Sequence, residues 1–568
     1  MQRIHESRLR ALDALLIFAF ALALRLVHVL AMRQSPYFDH PLVDAFTFHE
    51  AARSIAAGDG HPDKIFWQPP GYPYFLGLIY WAMGGVSFLA PRIVQAILGA
   101  FSAVLTAWIG AKVLGRAVGI AAGVAVALYG TLIYFDGELL GVSLTVALQL
   151  GAVALAILAS EGKRPHLLWL ATGILGGLAS VVTATSVVIV GTLAASARRL
   201  APWCLLGAVL AIAPATIRNF ARGGELVPIS WNGGVNLYIG NNAHYDDVVA
   251  VRPDIRWRDL TAEPVRHGIW TKNGASSYFV HKVTDWARHD PGAFLALQLR
   301  KTRLLLGGDE IFRNQAIYPS RAYSPVLWAL LWKAPGIAFP FGALLPLSLL
   351  GLVVAWKRAP LLAWIVVLYA LANVAFFITA RYRVPLVPYL AIFAAQGVRW
   401  FLVEAKRAAR VVAAAGLLGA FALSNLGAGP MPARMNADAE LTLAGFLHEE
   451  GRLDEARNHY MLSLEERRDD PETWADLGAL EMDLAHFGEA ERAFAEALRL
   501  HPEDSGALTG LGALRERDGL WNEAISLYER ASAADPKALW PRSRARELRR
   551  RLGIPPHSGA GLGSGSGP

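Results

Sequence analysis

Long apolar runs constrain the fold of this chain more than any other feature. A helix that crosses a membrane needs about 20 apolar residues to span a hydrocarbon layer roughly 30 Å thick. Eleven runs approach or reach that length: 9–32, 91–114, 117–135, 138–160, 166–182, 183–197, 201–220, 335–356, 359–379, 384–404 and 408–427. Only 18% of the residues are charged, whereas soluble domains carry about 25%. The sequence therefore predicts an all-α, polytopic membrane bundle of about 11 transmembrane helices.

The basic residues of the short loops predict which way this bundle faces. If the helices alternate across the bilayer, the loop cations fall on the side of the basic N-terminus: Lys112, Arg116, Lys163, Arg164, Arg198, Arg199, Lys357, Arg358, Lys406, Arg407 and Arg410. Cytoplasmic loops are enriched in Lys and Arg, so we expect the N-terminus inside. This orientation requires the aromatic segment 71–88 to lie at the outer membrane interface without crossing the bilayer. If the segment crosses instead, the later loops change sides. The sequence leaves both arrangements open.

The first outer loop, 33–90, is rich in carboxylates and histidines. Asp44 follows the first apolar run by about a dozen residues, and ionisable groups so close to a membrane are generally functional. It also opens the helical apolar pattern of 45–56, and a general base must be a carboxylate or an imidazole close to the reacting group. Asp44 is therefore the candidate base. Helix capping is the alternative, compatible role, and no motif spacing in this loop supports a metal site.

Several cations are candidate ligands for an anion. Arg381 and Arg383 lie in an outward turn, 380–388, against the topology trend, and guanidinium groups suit bidentate phosphate binding. Lys301 ends the second outer loop, 221–322. Headgroup contact and membrane anchoring are the alternatives for these three residues. Arg25, within the first apolar run, needs either a carboxylate partner or a lipid phosphate.

A repeat of 34 residues follows the last apolar run. The segments 437–470, 471–504 and 505–538 align without gaps, the first more loosely than the others. Seven residues of the second segment correspond to residues of the same or similar character 34 positions later. The pairs are Trp474 and Leu508, Leu477 and Leu511, Gly478 and Gly512, Ala490 and Ala524, Phe494 and Tyr528, Ala497 and Ala531, and Pro502 and Pro536. This pattern resembles the tetratricopeptide repeat, which implies an α-solenoid over 437–553 that binds peptides or a partner protein. Residues 539–553 would form a polar capping helix, and 554–568 a flexible tail.

Further motifs occur in a fixed order through residues 10–425. They are P-P-G-Y-P-Y, Arg92 with Gln95, Y-F-D-G-E-L-L, I-R-N at 217–219, N-G-G-V-N-L-Y-I-G-N-N, and A-R-Y-R-V-P-L-V-P. Together with Asp44, this order resembles the GT-C membrane glycosyltransferases, especially the bacterial relatives of protein O-mannosyltransferases and aminoarabinose transferases. The first 430 residues would then form a glycosyltransferase domain.

The resemblance implies a function and roles for particular residues. Such enzymes transfer a sugar from a polyprenyl-phosphate donor on the outer face of the membrane, with inversion. By resemblance the catalytic residues would be Asp44 and Glu138, the donor phosphate ligands Arg381, Arg383, Arg25 and Lys301, and the acceptor or sugar contacts Glu50, Tyr72 and Asn241. The Gly- and Asn-rich stretch 231–245 also suits sugar contact. Many relatives carry two adjacent acids where this chain has only Asp44, so a neighbouring role would either fall to Glu50 or Glu138 or be absent.

The expected location is a bacterial inner membrane, with the N-terminus cytoplasmic and the repeats periplasmic. The expected acceptor is a protein or a cell-envelope glycan or lipid. No metal ligands are predicted, although a requirement for Mg or Mn stays open, and no feature indicates nucleic acid. A transporter or flippase is one alternative; it would place polar residues midway along broken helices. A scaffold without catalysis, in which the repeats alone act, is the other.

Overall fold

The computed structural model describes residues 9–162, 164–249, 255–313, 316–427, 435–535 and 538–555. The chain divides into two compact units, Met1–Arg434 and Met435–Pro568. Almost every element in the described ranges is helical, which confirms the all-α prediction. The strands found there are Trp332–Ala334 and Ile337–Phe339, which pair as one short antiparallel hairpin.

The first unit contains 21 α-helices in the described residues. In chain order they are α1 Ala11–Met32, α2 Asp44–Ala57, α3 Gly71–Ala82, α4 Leu89–Leu114, α5 Arg116–Ala127, α6 Gly130–Asp136, α7 Val142–Glu161, α8 Pro165–Val182, α9 Val187–Ala197, α10 Ala201–Gly223, α11 Gly233–Gly240, α12 Tyr245–Val249, α13 Ile255–Arg266, α14 Lys272–His289, α15 Pro291–Leu306, α16 Pro325–Leu330, α17 Phe341–Ala355, α18 Pro360–Ala375, α19 Ala380–Arg383, α20 Val387–Arg399 and α21 Arg407–Asn425. Short 3₁₀ turns cover Ala184–Ser186, Arg198–Leu200, Tyr318–Ala322 and Val384–Leu386, and a π-helical turn covers Trp400–Glu404.

The candidate membrane spans confirm a multi-pass protein but number fewer than eleven. By length and composition, the described residues offer seven: Ala11–Met32, Leu89–Leu114, Val142–Glu161, Pro165–Val182, Ala184–Gly223, Ala380–Glu404 and Arg407–Asn425. The pair α5 and α6, bent by 57°, makes up to eight. Hydropathy does not mark where a helix breaks, so the runs 183–197 and 201–220 fall in one candidate. The run 335–356 begins in the hairpin, which leaves α17 with only 15 residues.

The first outer loop folds around its own small core. Helix α3 has 12 residues and is therefore about 18 Å long, too short to cross the hydrocarbon layer. It packs against α2 instead. Their shared apolar cluster is formed by Ala45, Phe48, Ala52, Tyr72, Leu76, Tyr80 and Leu139. The segment that carries Asp44 is thus held by buried aromatic and aliphatic contacts on one face of α2.

Asn219, near the end of α10, fixes the part of this loop that precedes α3. Its side-chain oxygen accepts a hydrogen bond from the Phe66 amide at 3.0 Å. Its side-chain nitrogen donates to the carbonyl oxygens of Val227 and Ile229 at 3.0 and 3.1 Å. The guanidinium of Arg218 lies 4.2 Å from the centre of the Phe66 ring. The I-R-N motif therefore joins the middle of the first outer loop to the start of the second.

The second unit is built from helix pairs. Its helices are α22 Ala437–Glu449, α23 Leu453–Glu466, α24 Pro471–Asp483, α25 Phe487–Leu500, α26 Ser505–Arg517, α27 Trp521–Ala534 and α28 Leu539–Arg551. Each predicted repeat segment contains two of them. The ring of Phe494 in α25 packs against the backbone of Gly510 in α26, where a Cβ atom would lie 2.1 Å from the ring. Only glycine allows that approach.

Candidate functional site

Two cavities of the first unit share one wall. The larger measures about 410 Å³ and the smaller about 80 Å³. Five residues line both: Asp44, Arg313, Phe377, Arg381 and Tyr382. The larger falls within the range of about 300–1,000 Å³ typical of small-molecule sites. Charged and polar side chains therefore lie at the boundary between two cavities that could each hold a ligand.

Asp44 and Arg381 form the charged centre of this wall. Arg381 Nη1 donates to Asp44 Oδ2 at 2.5 Å, and Gln68 Nε2 donates to Asp44 Oδ1 at 3.0 Å. The side chains of Asp44 and Arg381 keep 22% and 24% of their surface exposed, so both can meet a ligand. Asp44 is the first residue of α2, and its carboxylate points to these partners rather than capping the helix.

The backbone immediately before Asp44 is strained. Val43 has φ 49° and ψ −110°, a positive-φ conformation that a β-branched residue rarely adopts. Such a conformation costs of order 1–3 kcal/mol and persists only where the surrounding structure enforces it. The strain turns the chain sharply into α2 and so aims the Asp44 carboxylate at Arg381.

The two cavities differ in the chemistry of their walls. Amide, hydroxyl and indole groups line part of the larger one: Trp67, Gln68, Thr183, Thr185, Asn232, Asn236, Trp257 and Asn373. Val182, Val187 and Val188 add an aliphatic section. The smaller cavity is lined chiefly by Leu42, Tyr134, Phe135, Leu140, Phe312 and Ile317. The Gly- and Asn-rich stretch contributes Asn232, Gly233 and Asn236 to the larger cavity, so part of it lies at the site.

Arg383 lies inside the protein, away from both cavities, contrary to its predicted role as a phosphate ligand. Its side chain is only 2% exposed, and Nη2 donates to Glu310 Oε2 at 2.9 Å and to the Asp309 carbonyl at 2.7 Å. The guanidinium also stacks 3.7 Å from the centre of the Phe341 ring. These contacts occupy the group, because the turn A-R-Y-R points its two arginines in different directions.

Lys301 is likewise buried and away from the cavities, which corrects its predicted role. Its ammonium donates to the carbonyl oxygens of Gly240 and Phe376, both at 2.9 Å, and to Asn241 Oδ1 at 2.7 Å. All three acceptors are neutral. Burial lowers the pKa of Lys301 to about 7, because desolvation penalises the charged form. The residue joins α15 to the ends of α11 and α18.

Arg25 pairs with a buried carboxylate and lines neither cavity. Its Nε donates to Asp136 Oδ2 at 2.7 Å, and both side chains are almost fully buried. Nη1 donates to the carbonyl oxygens of Ala21 and Ala127. Asp136 is the buried last residue of α6.

Glu138 lies one side chain away from the smaller cavity and lines neither. Burial raises the pKa of Glu138 to about 7, against the opposing effects of the Arg92 guanidinium and the Tyr134 hydroxyl. The ring of Tyr134 lines the smaller cavity. Glu138 is therefore linked to that cavity through Tyr134.

The three predicted acceptor contacts also lie outside the cavity walls. Glu50 is partly exposed and pairs with Arg53 at 2.8 Å. Tyr72 is buried, and its hydroxyl donates to Gln95 Oε1 at 2.6 Å. Asn241 is buried and donates to the Ala375 carbonyl at 2.7 Å. These residues support the loop and the helix ends around the site.

Gln68 was not predicted from the sequence, although it directly contacts Asp44. Its side-chain oxygen is buried and has no hydrogen-bond partner among the residues that the structure describes. A glutamine just before the two prolines of P-P-G-Y-P-Y was the only available signal. Within the part of the chain that the structure describes, no group of three or more His, Cys, Asp or Glu side chains is placed to hold a metal ion.

Comparison with known proteins gives only distant similarities. No protein-family model matches the sequence. A stretch of 60 residues, 11% of this chain, is 40% identical to Superkiller protein 3 of Schizosaccharomyces pombe and covers 4% of that protein. A match of this length identifies no family for the chain.

Among solved structures, this chain is similar to the oligosaccharyltransferase AglB of Archaeoglobus fulgidus in complex with an inhibitory peptide and a dolichol-phosphate. The TM-score is 0.39 and the identity 13%, over 78% of this chain and 59% of AglB. A second structure, of the A. fulgidus oligosaccharyltransferase tethered with an acceptor peptide, gives 0.38 and 12%, over 78% of this chain and 58% of that one. This chain thus spans less than two thirds of either relative. The similarity is too low to identify its fold or its activity.

Proposed function

We propose that this chain is a membrane glycosyltransferase of the GT-C type. It would move a sugar from a polyprenyl-phosphate donor to an acceptor outside the cytoplasm, with inversion at the anomeric carbon. The observation that carries the proposal is the Asp44–Arg381 contact in the shared wall of the two cavities. A carboxylate and a guanidinium at such a junction suit a reaction between two bound substrates.

Each member of the pair has a task in this reaction. The bond between the anomeric carbon and the phosphate oxygen breaks as the acceptor oxygen forms a new bond to that carbon. Asp44 accepts the proton from the acceptor hydroxyl. Arg381 donates to the departing phosphate and stabilises its increasing negative charge. Attack from the face opposite the phosphate gives inversion.

The wall of the larger cavity supports a sugar and a lipid as ligands. Trp67 and Trp257 offer aromatic faces, and Asn232 and Asn236 offer amide groups for hydroxyls. The aliphatic section that includes Val187 suits a polyprenyl chain. We assign the donor to this cavity and the acceptor group to the smaller one.

The wider setting follows the charge pattern of the loops. The N-terminus would lie in the cytoplasm of a bacterium, and the first unit would span its inner membrane. The repeats would face the periplasm, where an α-solenoid of tetratricopeptide type would bind the acceptor protein or a partner enzyme. The limited identity to Superkiller protein 3 is compatible with such repeats.

Transfer in membranes tests the proposal. Asp44→Asn and Arg381→Ala should each reduce sugar transfer from polyprenyl-phosphate donors by about 10²–10⁴-fold. Asp59→Asn and Arg53→Ala, the same substitutions at exposed positions of the first outer loop, should leave transfer unchanged. Undiminished transfer in the first pair would refute the roles of Asp44 and Arg381. An intact chain that uses none of the donors would favour the scaffold alternative.

A further inference from the structure

The last helix of the repeat unit, α28, presents unpaired arginines on one face. Arg542, Arg546 and Arg550 are spaced by four residues, so they share a side of the helix, and all three are exposed. Three other arginines of α28 are neutralised: Arg544 by Glu516, Arg549 by Glu529 and Arg551 by Glu547. Among the described residues, no carboxylate pairs with the first three.

Exposed apolar side chains flank these arginines. Leu539 is 72% exposed and Trp540 53%, at the start of α28. The opposite face packs inward through Pro541, Ala545 and Leu548. A helix with arginine on its exposed side and Trp or Leu beside it is typical of elements that rest in the headgroup layer of a membrane.

The charge of the repeat unit is strongly divided along its length. Residues 437–504 contain 19 Asp and Glu against six Arg, whereas residues 505–555 contain six Asp and Glu against ten Lys and Arg. An anionic surface would repel the first part and attract the second. The division therefore gives the unit a preferred orientation toward such a surface.

The spacing of the arginines favours a surface over a small anion. Arg542 and Arg550 lie about 12 Å apart along the helix axis, more than one phosphate can bridge. A cavity of about 590 Å³ leaves room for a headgroup beside these arginines. Arg542, Arg546, Arg549 and Arg550 line it together with Ser532 and with Glu529, whose carboxylate is paired with Arg549. Residues 426–434 link the last candidate membrane span, α21, to this unit in the sequence.

We propose that α28 docks on an anionic phospholipid surface. Arg542, Arg546 and Arg550 bind lipid phosphates, and Leu539 enters the headgroup layer. Trp540 packs edge-to-face on the Tyr528 ring, so only its exposed part contacts that layer. The ligand class is therefore the anionic phospholipid headgroup. This inference does not depend on the proposed sugar transfer, and either can fail alone.

The test uses the full chain in lipid nanodiscs. Cys204, the one cysteine, is buried and is replaced by alanine, and Ser543→Cys on the exposed side of α28 carries an environment-sensitive dye. In discs that contain phosphatidylglycerol, the dye emission should shift to the blue and the dye should resist quenching by acrylamide. Discs of phosphatidylcholine alone should show neither change. High salt should reverse both, because screening shortens the range of the attraction.

A matched pair of variants isolates the patch from overall charge. The patch variant combines three substitutions, Arg542→Gln, Arg546→Gln and Arg550→Gln. It should weaken docking by roughly 100-fold. The control variant removes the same charge from other exposed positions of the unit, through Arg468→Gln, Arg492→Gln and Arg530→Gln. It should dock as the unchanged protein does. Circular dichroism melting verifies that both variants fold.

Three outcomes would overturn the proposal. One is an equal dye response in neutral discs, and another is retention of the response in the patch variant. The third is a response to soluble poly-glutamate but not to phosphatidylglycerol, which would indicate an acidic protein partner instead.

Discussion

Arg381 Nη1 lies 2.5 Å from Asp44 Oδ2, although the two residues are 337 positions apart in the chain. The contact joins the first outer loop to the turn before α20. Two positions further on, Arg383 makes an ion pair with Glu310. That pair is buried, whereas the Arg381–Asp44 pair is partly exposed. One short turn thus supplies a cation for ligands and a cation for the core.

The difference between these arginines predicts different defects. Arg383→Met removes the charged partner of the buried Glu310 carboxylate and leaves it the hydrogen bond from Thr131, which costs about 3–5 kcal/mol. Arg381→Ala breaks a partly exposed pair, worth at most about 1 kcal/mol. We expect Arg383→Met to lower the Tm of the purified protein strongly, and Arg381→Ala to lose transfer with little change in Tm. Adding Glu310→Met to Arg383→Met should recover much of the stability; a Tm as low as that of the single variant would contradict the pair's role.

Gln68 is predicted to act through Asp44. Gln68→Leu removes the hydrogen bond that orients Asp44 Oδ1 and should lower transfer about tenfold, on the scale of about 1–1.5 kcal/mol for one such bond. The double variant Asp44→Asn with Gln68→Leu should be no worse than Asp44→Asn alone, because residues that act as a unit are not additive. Initial rates of transfer for the four proteins make the comparison. If the double variant instead loses activity by the product of the two single losses, Gln68 acts independently of Asp44.

Asn219 is predicted to control the position of the loop that carries Gln68. Asn219→Ala leaves buried partners on Phe66, Val227 and Ile229 unsatisfied and should cost about 2 kcal/mol or more. We expect a lower Tm and easier proteolysis of the first outer loop. Gln34→Ala, at an exposed position, serves as the control and should change neither. A normal cleavage pattern in Asn219→Ala would mean that other contacts hold the loop.

Lys301 predicts a pH dependence of stability. Burial lowers its pKa from 10.5 to about 7, so between these values the unfolded chain binds more protons than the folded chain. Stability therefore rises with pH across that window and gains nothing further from Lys301 above it. Lys301→Met should remove this slope from the Tm against pH, whereas Lys357→Met at an exposed position should keep it. An unchanged slope in Lys301→Met would assign the dependence to other groups.

The architecture and Asp44 were accessible from sequence because both follow from local patterns. Apolar length predicted the helices, and the start of the pattern at 45–56 placed Asp44 at the first residue of α2. The failures concern partners distant in sequence. The sequence does not identify the partners of Arg25, Lys301 and Arg383, because Asp136, Asn241 and Glu310 come close to them only when the chain folds.

Gln68 and Val43 show a further limit. The sequence marks neither the direction of a side chain nor a residue with positive φ, because each depends on how the whole loop is held. The helix count shows the same limit, since hydropathy measures how apolar a stretch is and not where its backbone turns.

The shared wall between the cavities has a thermodynamic consequence. A phosphate that draws Arg381 away from Asp44 changes the carboxylate that the other cavity presents. Binding in one cavity must then alter the affinity of the other by the same factor in both directions. Donor and acceptor would therefore bind cooperatively or anticooperatively, never independently, through a single hydrogen-bonded contact.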